Sequence, residues 1–222
     1  MRSQSAAAAL LGAGISARAP LFGSGGRAGL GVPMFYSFMK WVAWAVGHVL
    51  FRFEVAGMEN IPKDGPFLLC ANHISGLDPA VFAIFMRRRP RFMAKRELFR
   101  NRLAGRFFRA LGAYPVDRGA ADLSAYRATM ELLKRGDGLL IFFQGTRMQE
   151  LGGAKGGAAL FALKSGAPIV PAGISGEYRF RGRIRLRVGE PIAMDRYAGM
   201  KARTELINEV MEQVVDKVAA LA

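Results

Sequence analysis

Five uninterrupted apolar residues, Phe67-Leu68-Leu69-Cys70-Ala71, stand between the turn dipeptides Lys63-Asp64 and Gly65-Pro66 and a polar segment that begins at Asn72. So short an apolar run bounded by turn signals suits a strand buried on both faces, as in a parallel sheet covered by helices. That constrains the chain to an α/β architecture. It also sets the polar residues Asn72 to Asp78 at the strand's carboxyl end, the edge where open α/β sheets bind ligands.

His73 and Asp78 are five apart with Ser75-Gly76 between them. A turn there folds the carboxylate back towards the imidazole, whereas a continuous helix would splay the two. In such a dyad the imidazole accepts a proton near neutral pH while the carboxylate fixes its tautomer. No serine elbow or other nucleophile accompanies them, so the simplest chemistry is general-base activation of a substrate hydroxyl. The plainer alternative makes Asp78 a helix N-cap with Pro79 at the first helical position and His73 a buried, satisfied histidine. A carboxylate has several acceptor sites, so the two readings are compatible.

Strand-like and helix-like segments alternate through most of the chain. Helices are expected over Pro79–Met86, Arg102–Leu111, Asp122–Arg135, from an opening at Lys155-Gly156-Gly157 to about Ser165, and from about Thr204 onwards; strands are expected at Phe53–Val55, Arg91–Ala94, Leu139–Phe143, Ala167–Ile174 and Arg183–Val188. This pattern predicts a layered α/β domain with a largely parallel sheet flanked by helices, preceded by an N-terminal amphipathic membrane-facing helix. With 222 residues, 51% of them hydrophobic, one domain has ample core material. The single cysteine, Cys70, and two distant histidines, His48 and His73, leave neither a disulfide framework nor a zinc cluster, so no metal site is expected.

The formal net charge of +15 calls for an acidic partner: nucleic acid, anionic lipid or a phosphorylated substrate. The basic residues crowd between Arg87 and Arg109, where only Glu97 opposes them. On the predicted helix Arg102–Leu111, arginines 102, 106 and 109 share one face, with Leu103, Phe107 and Leu111 opposite. Anionic lipid is its natural surface, the alternative being a core helix with a solvated arginine face. Nucleic acid would favour exposed aromatic rings interleaved with the cations, and here Phe107 and Phe108 are expected at or beside the buried side, so no nucleic-acid partner is expected.

Residues 1–33, rich in Ala, Gly, Ser and Arg and without an acid, are expected to be a disordered extension whose composition also fits an organellar transit peptide. Residues 34–53 carry Phe35, Met39, Val42, Val46, Val49, Leu50 and Phe53 at helical spacing, with Ser37, Lys40, Trp41, Trp44 and His48 on the other face. Lys40 and His48 interrupt a segment otherwise close to spanning length. An interfacial helix with its tryptophans and lysine at headgroup level is expected, or else a helix whose apolar face packs on the domain.

The motif Asn72-His73-x4-Asp78 after a buried strand resembles the signature of the 1-acylglycerol-3-phosphate acyltransferases, and the resemblance runs from about Val55 to Ile192. Gly57-Met58-Glu59-Asn60-Ile61-Pro62 is similar to the family's lead-in to its catalytic strand. Lys95-Arg96-Glu97-Leu98-Phe99, the short strand Gly112–Arg118, the segment Phe143-Gln144-Gly145-Thr146-Arg147 and the strand Ala167–Ile174 follow in family order. The resemblance implies an acyltransferase domain over residues 54–222 with His73 and Asp78 as catalytic pair. Lys95, Arg118, Gln144, Gly145, Thr146 and Arg147 are implied to bind substrate, the arginines taking its phosphate.

Two positions depart from the family pattern: Phe143 stands where proline is usual and Gln144 where glutamate is. The implied reaction moves a fatty acyl chain from acyl-CoA or acyl-carrier protein, as substrate and not cofactor, to the free hydroxyl of lysophosphatidic acid. Alternatives are transfer to glycerol 3-phosphate, another lysophospholipid or a glycolipid, or a non-catalytic basic membrane-binding protein. The implied location is an anionic membrane surface at the cytoplasmic face of the cell membrane, with organelle targeting left open.

Overall fold

The computed structural model describes residues 31–116, 123–143 and 156–222. The expected disordered extension falls largely outside them. Seven strands form one sheet: β1 (Phe51–Ala56), β2 (Phe67–Asn72), β3 (Arg91–Lys95), β4 (Ala113–Val116), β5 (Gly138–Phe143), β6 (Ile169–Gly176) and β7 (Gly182–Val188). Their order is β1-β7-β6-β2-β5-β3-β4, and every neighbouring pair is parallel except β6 with β7. Strands β2 to β6 therefore present their carboxyl ends to one edge, and β1 and β7 begin there.

The uninterrupted apolar run is β2, at the middle of the sheet, with Phe67 to Ala71 all fully buried. Its alternate residues serve two cores. Leu68 and Cys70 face the side on which α4 (Leu123–Lys134), α5 (Gly157–Ser165) and α6 (Thr204–Leu221) contribute Leu132, Phe161 and Val214. Phe67, Leu69 and Ala71 face the other side, where α2 (Asp78–Phe85) contributes Val81 and Phe82. Two-sided burial of this kind is what a parallel sheet requires.

Helix α1 spans Gly31–Leu50, so it begins before residue 34 and ends before Phe51–Phe53, which are the first residues of β1. Its facing differs from the expectation. Lys40 does not sit at headgroup level: its Nζ donates to the Met86 carbonyl at the end of α2, 2.5 Å away, and burial lowers its pKa. Tyr36 also turns inward, beneath the Arg89 guanidinium. Of the expected apolar face, Val46 and Val49 point out, 50% and 64% exposed, as does Phe38 at 60%, while Met39 and Val42 are half-buried. Lys40 turns inward because it meets a helix end, whose free carbonyls want a cation, while further along Gly47 is buried against Phe53 and Ile84.

Helix α3 (Arg102–Leu111) lies beside α1 and shows the same reversal. Leu103 and Phe107, expected on the buried side, are exposed, Leu103 at 77%. The helix instead approaches the protein through Gly105, where a Cβ would come within 3.1 Å of the Phe99 carbonyl oxygen. Phe107 meets Phe35 of α1 edge to face, with centroids 6.2 Å apart. The two helices thus share one exposed apolar surface, with Arg102, Arg106 and Arg109 exposed alongside it. Among the described residues no helix is long and apolar enough to cross a membrane.

Candidate active site

Asn72 closes β2 by doing with its side chain what a backbone would do: Nδ2 donates to the Ile174 carbonyl and Oδ1 accepts the Ile174 amide, both at 2.7 Å. This ties the end of β2 to β6 just where the chain leaves the sheet. His73 comes next, and its ring stacks on Phe142 of β5 with centroids 4.6 Å apart and planes 26° from parallel.

The Ser75-Gly76 turn brings Asp78 back, and its Oδ2 lies 2.6 Å from His73 Nδ1. The same oxygen accepts the amides of Ile74 at 2.7 Å and Ser75 at 2.9 Å. Its other oxygen accepts the Tyr178 hydroxyl at 2.5 Å. A carboxylate accepts and does not donate, so Nδ1 carries the proton and the lone pair stands on Nε2. Asp78 is fully buried while the His73 side chain is 27% exposed. The anion is thus enclosed and the imidazole reachable.

Helix α2 begins at Asp78 itself, one residue earlier than the N-cap alternative supposes, and the carboxylate caps no amide of that helix. Its bonds run backwards into the turn and across to Tyr178. Tyr178 was missed by sequence reasoning because it lies 100 residues from Asp78, in the turn between β6 and β7. Burial first, then the hydrogen bond to Asp78 and its charge, hold the phenol well above its ordinary pKa, so it remains a protonated donor.

Lys95 ends β3 at the same edge, exposed, two strands from β2. At about 4.8 Å per strand that is roughly 10 Å away. Arg118, Gln144, Gly145, Thr146 and Arg147 lie outside the described residues. The strands that precede them end at this edge: Val116 of β4 is the register partner of Lys95, and Phe143 of β5 that of Asn72. Cys70 is buried inside β2, where desolvation pushes its thiol up to about 12, so it is no acyl-carrying nucleophile. The second histidine, His48, is on α1, its Nδ1 against the Trp44 carbonyl.

The family model described as Acyltransferase matches residues 52–175, which include β2 to β5 and most of β1 and β6. The 1-acyl-sn-glycerol-3-phosphate acyltransferase of Bacillus subtilis is 31% identical over 180 residues, 76% of this chain and 90% of that protein. This chain belongs to the 1-acyl-sn-glycerol-3-phosphate acyltransferase family. Another acyltransferase of that name, from Streptococcus pneumoniae, is 32% identical over 72% of this chain and 63% of its own length. The acyltransferase fold is matched by the crystal structure of the 1-acyl-sn-glycerophosphate (LPA) acyltransferase PlsC from Thermotoga maritima. It aligns with a TM-score of 0.64 at 27% identity, over 86% of this chain and 80% of that one.

Proposed function

We propose that this protein transfers a fatty acyl group from a thioester, acyl-CoA or acyl-carrier protein, to the free hydroxyl of lysophosphatidic acid, forming phosphatidic acid. The observation that carries this reading is the 2.6 Å contact between His73 Nδ1 and the buried Asp78 carboxylate at the carboxyl edge of the sheet. His73 Nε2 takes the proton of the acceptor hydroxyl as its oxygen attacks the thioester carbonyl. The carbon–sulfur bond then breaks, and the imidazolium returns the proton to the leaving thiolate. Asp78 orients the ring and stabilises the imidazolium through both halves of the step.

The acceptor's phosphate is assigned to Arg118 and Arg147, whose guanidiniums match it with paired hydrogen bonds. Gly145 and Thr146 are assigned to the same site and Gln144 to the glycerol portion, and Lys95 would add a cation from β3. Support comes from the sequence positions of these residues just beyond β4 and β5, strands that end at the same edge as β2. The apolar surface of α1 and α3, with its arginines, is assigned to an anionic membrane on the cytoplasmic face, where the acceptor resides.

The test is thiol release from acyl-CoA and from acyl-carrier protein, with and without lysophosphatidic acid. His73→Ala should lower acceptor-dependent release by roughly 10²- to 10⁴-fold, the usual contribution of a general base. Asp78→Asn should lower it at least about a hundredfold by releasing the tautomer. A folded His73→Ala protein with wild-type turnover would refute the mechanism.

A further inference from the structure

We propose that Tyr178 is a positioning residue of the dyad, acting through Asp78 and not on substrate. The inference rests on the acyl-transfer reading above. Asp78 Oδ2 has three donors, His73 Nδ1 and the amides of Ile74 and Ser75, while Oδ1 accepts the Tyr178 hydroxyl. The terminal torsion of an aspartate is broad and two-fold, so the carboxylate plane is set by whatever holds each oxygen. Tyr178 holds the one that the turn does not. It thereby keeps Oδ2 aimed at Nδ1–H and the Nε2 lone pair in a fixed direction.

Tyr178 is itself held from a separate part of the chain. Its ring meets Phe51, the first residue of β1, edge to face with centroids 5.4 Å apart and planes at 87°. Three residues on, the Arg181 amide donates to the Leu50 carbonyl at the end of α1, 2.6 Å away. The turn carrying Tyr178 is therefore fastened to the junction of α1 and β1. The carboxylate is positioned between its own turn and that junction.

The experiment compares wild type, Tyr178→Phe, Phe51→Leu and His73→Ala in acceptor-dependent thiol release with one lysophosphatidic acid. It reads melting temperature and the downfield proton resonance of the His73 imidazole, identified by its absence in His73→Ala. Loss of a hydrogen bond to a charged group predicts that Tyr178→Phe lowers kcat about tenfold to a hundredfold, with KM for both substrates within about twofold. The imidazole resonance should shift or broaden as the bond to Asp78 loosens. Phe51→Leu, which keeps the hydroxyl but loosens its support, should lower kcat less and in the same way.

Wild-type kcat in both variants, a loss confined to KM, or an unchanged imidazole resonance in Tyr178→Phe would overturn the proposal. Failure of the acyl-transfer mechanism reads differently: His73→Ala would then retain activity, while the resonance in Tyr178→Phe would still report whether the tyrosine positions the dyad.

Discussion

A buried carboxylate is stable only where donors replace its water, since stripping hydration from an anion costs several kcal/mol. At Asp78 four donors do so, and three of them come from the turn that also carries His73. Asn72, by contrast, uses its amide to finish the strand ladder, so two neighbouring motif residues engage different partners: Asn72 the sheet, His73 the carboxylate. Gln144 is the residue whose chemistry departs from this pattern. It follows Phe143, the register partner of Asn72, as His73 follows Asn72. On the proposed assignment of Arg118 and Arg147 to the acceptor's phosphate, a carboxylate at 144 would make charge-assisted bonds where an amide could make only neutral ones. Gln144→Glu is therefore expected to raise kcat/KM for lysophosphatidic acid about fivefold, equivalent to roughly 1 kcal/mol. Steady-state kinetics of the two proteins measure it. A fall would mean that this chain is adapted to a neutral residue and a different acceptor.

Elements in this fold are placed by close backbone approaches as much as by apolar faces. Gly57, at the end of β1, has φ of 78°, and a Cβ there would lie 1.9 Å from the Val188 carbonyl oxygen at the end of β7. Gly57→Ala should thus destabilise the protein by about 2–4 kcal/mol, combining left-handed strain with overpacking, measured as a lowered denaturation midpoint with an unchanged slope. The strands and most helices were legible in the sequence because their apolar periods match their burial: β2 reads as a continuous run and β7 as strict alternation. The turn uniting His73 and Asp78 was legible because it is local. Tyr178 was not, since nothing in a single tyrosine reveals which strand end it will face. Where α1 and α3 depart from the expected facing the reason is physical: periodicity reports an apolar face without saying what covers it, and here Lys40 and Gly105 face the protein while Val46, Val49 and Leu103 are exposed; Trp41 and Trp44 are exposed as expected.

At the scale of the whole molecule, a net charge of +15 and an exposed apolar surface belong to one structure. On the proposed membrane role, the charges would draw it towards an anionic surface, each basic residue near that surface contributing about 1 kcal/mol, and the apolar side chains would hold it there, each contributing up to about 1.5–3 kcal/mol when fully buried. The two terms separate with salt. At 1 M the screening length falls to about 3 Å, which removes most of the first term and little of the second. The chain supplies its own reporter, since its two tryptophans, Trp41 and Trp44, are both on α1 and 63% and 47% exposed. Adding anionic vesicles should shift tryptophan emission to the blue, and a reduced shift should survive 1 M salt. Phe38→Asp combined with Leu103→Asp should abolish the salt-resistant part while leaving thiol release to a water-soluble short-chain acceptor unchanged, because both side chains are exposed on α1 and α3 and are not part of the dyad. Binding that salt removes completely, or that occurs without the blue shift, would assign the attraction to the arginines alone and leave the apolar surface of α1 and α3 without a role at the bilayer.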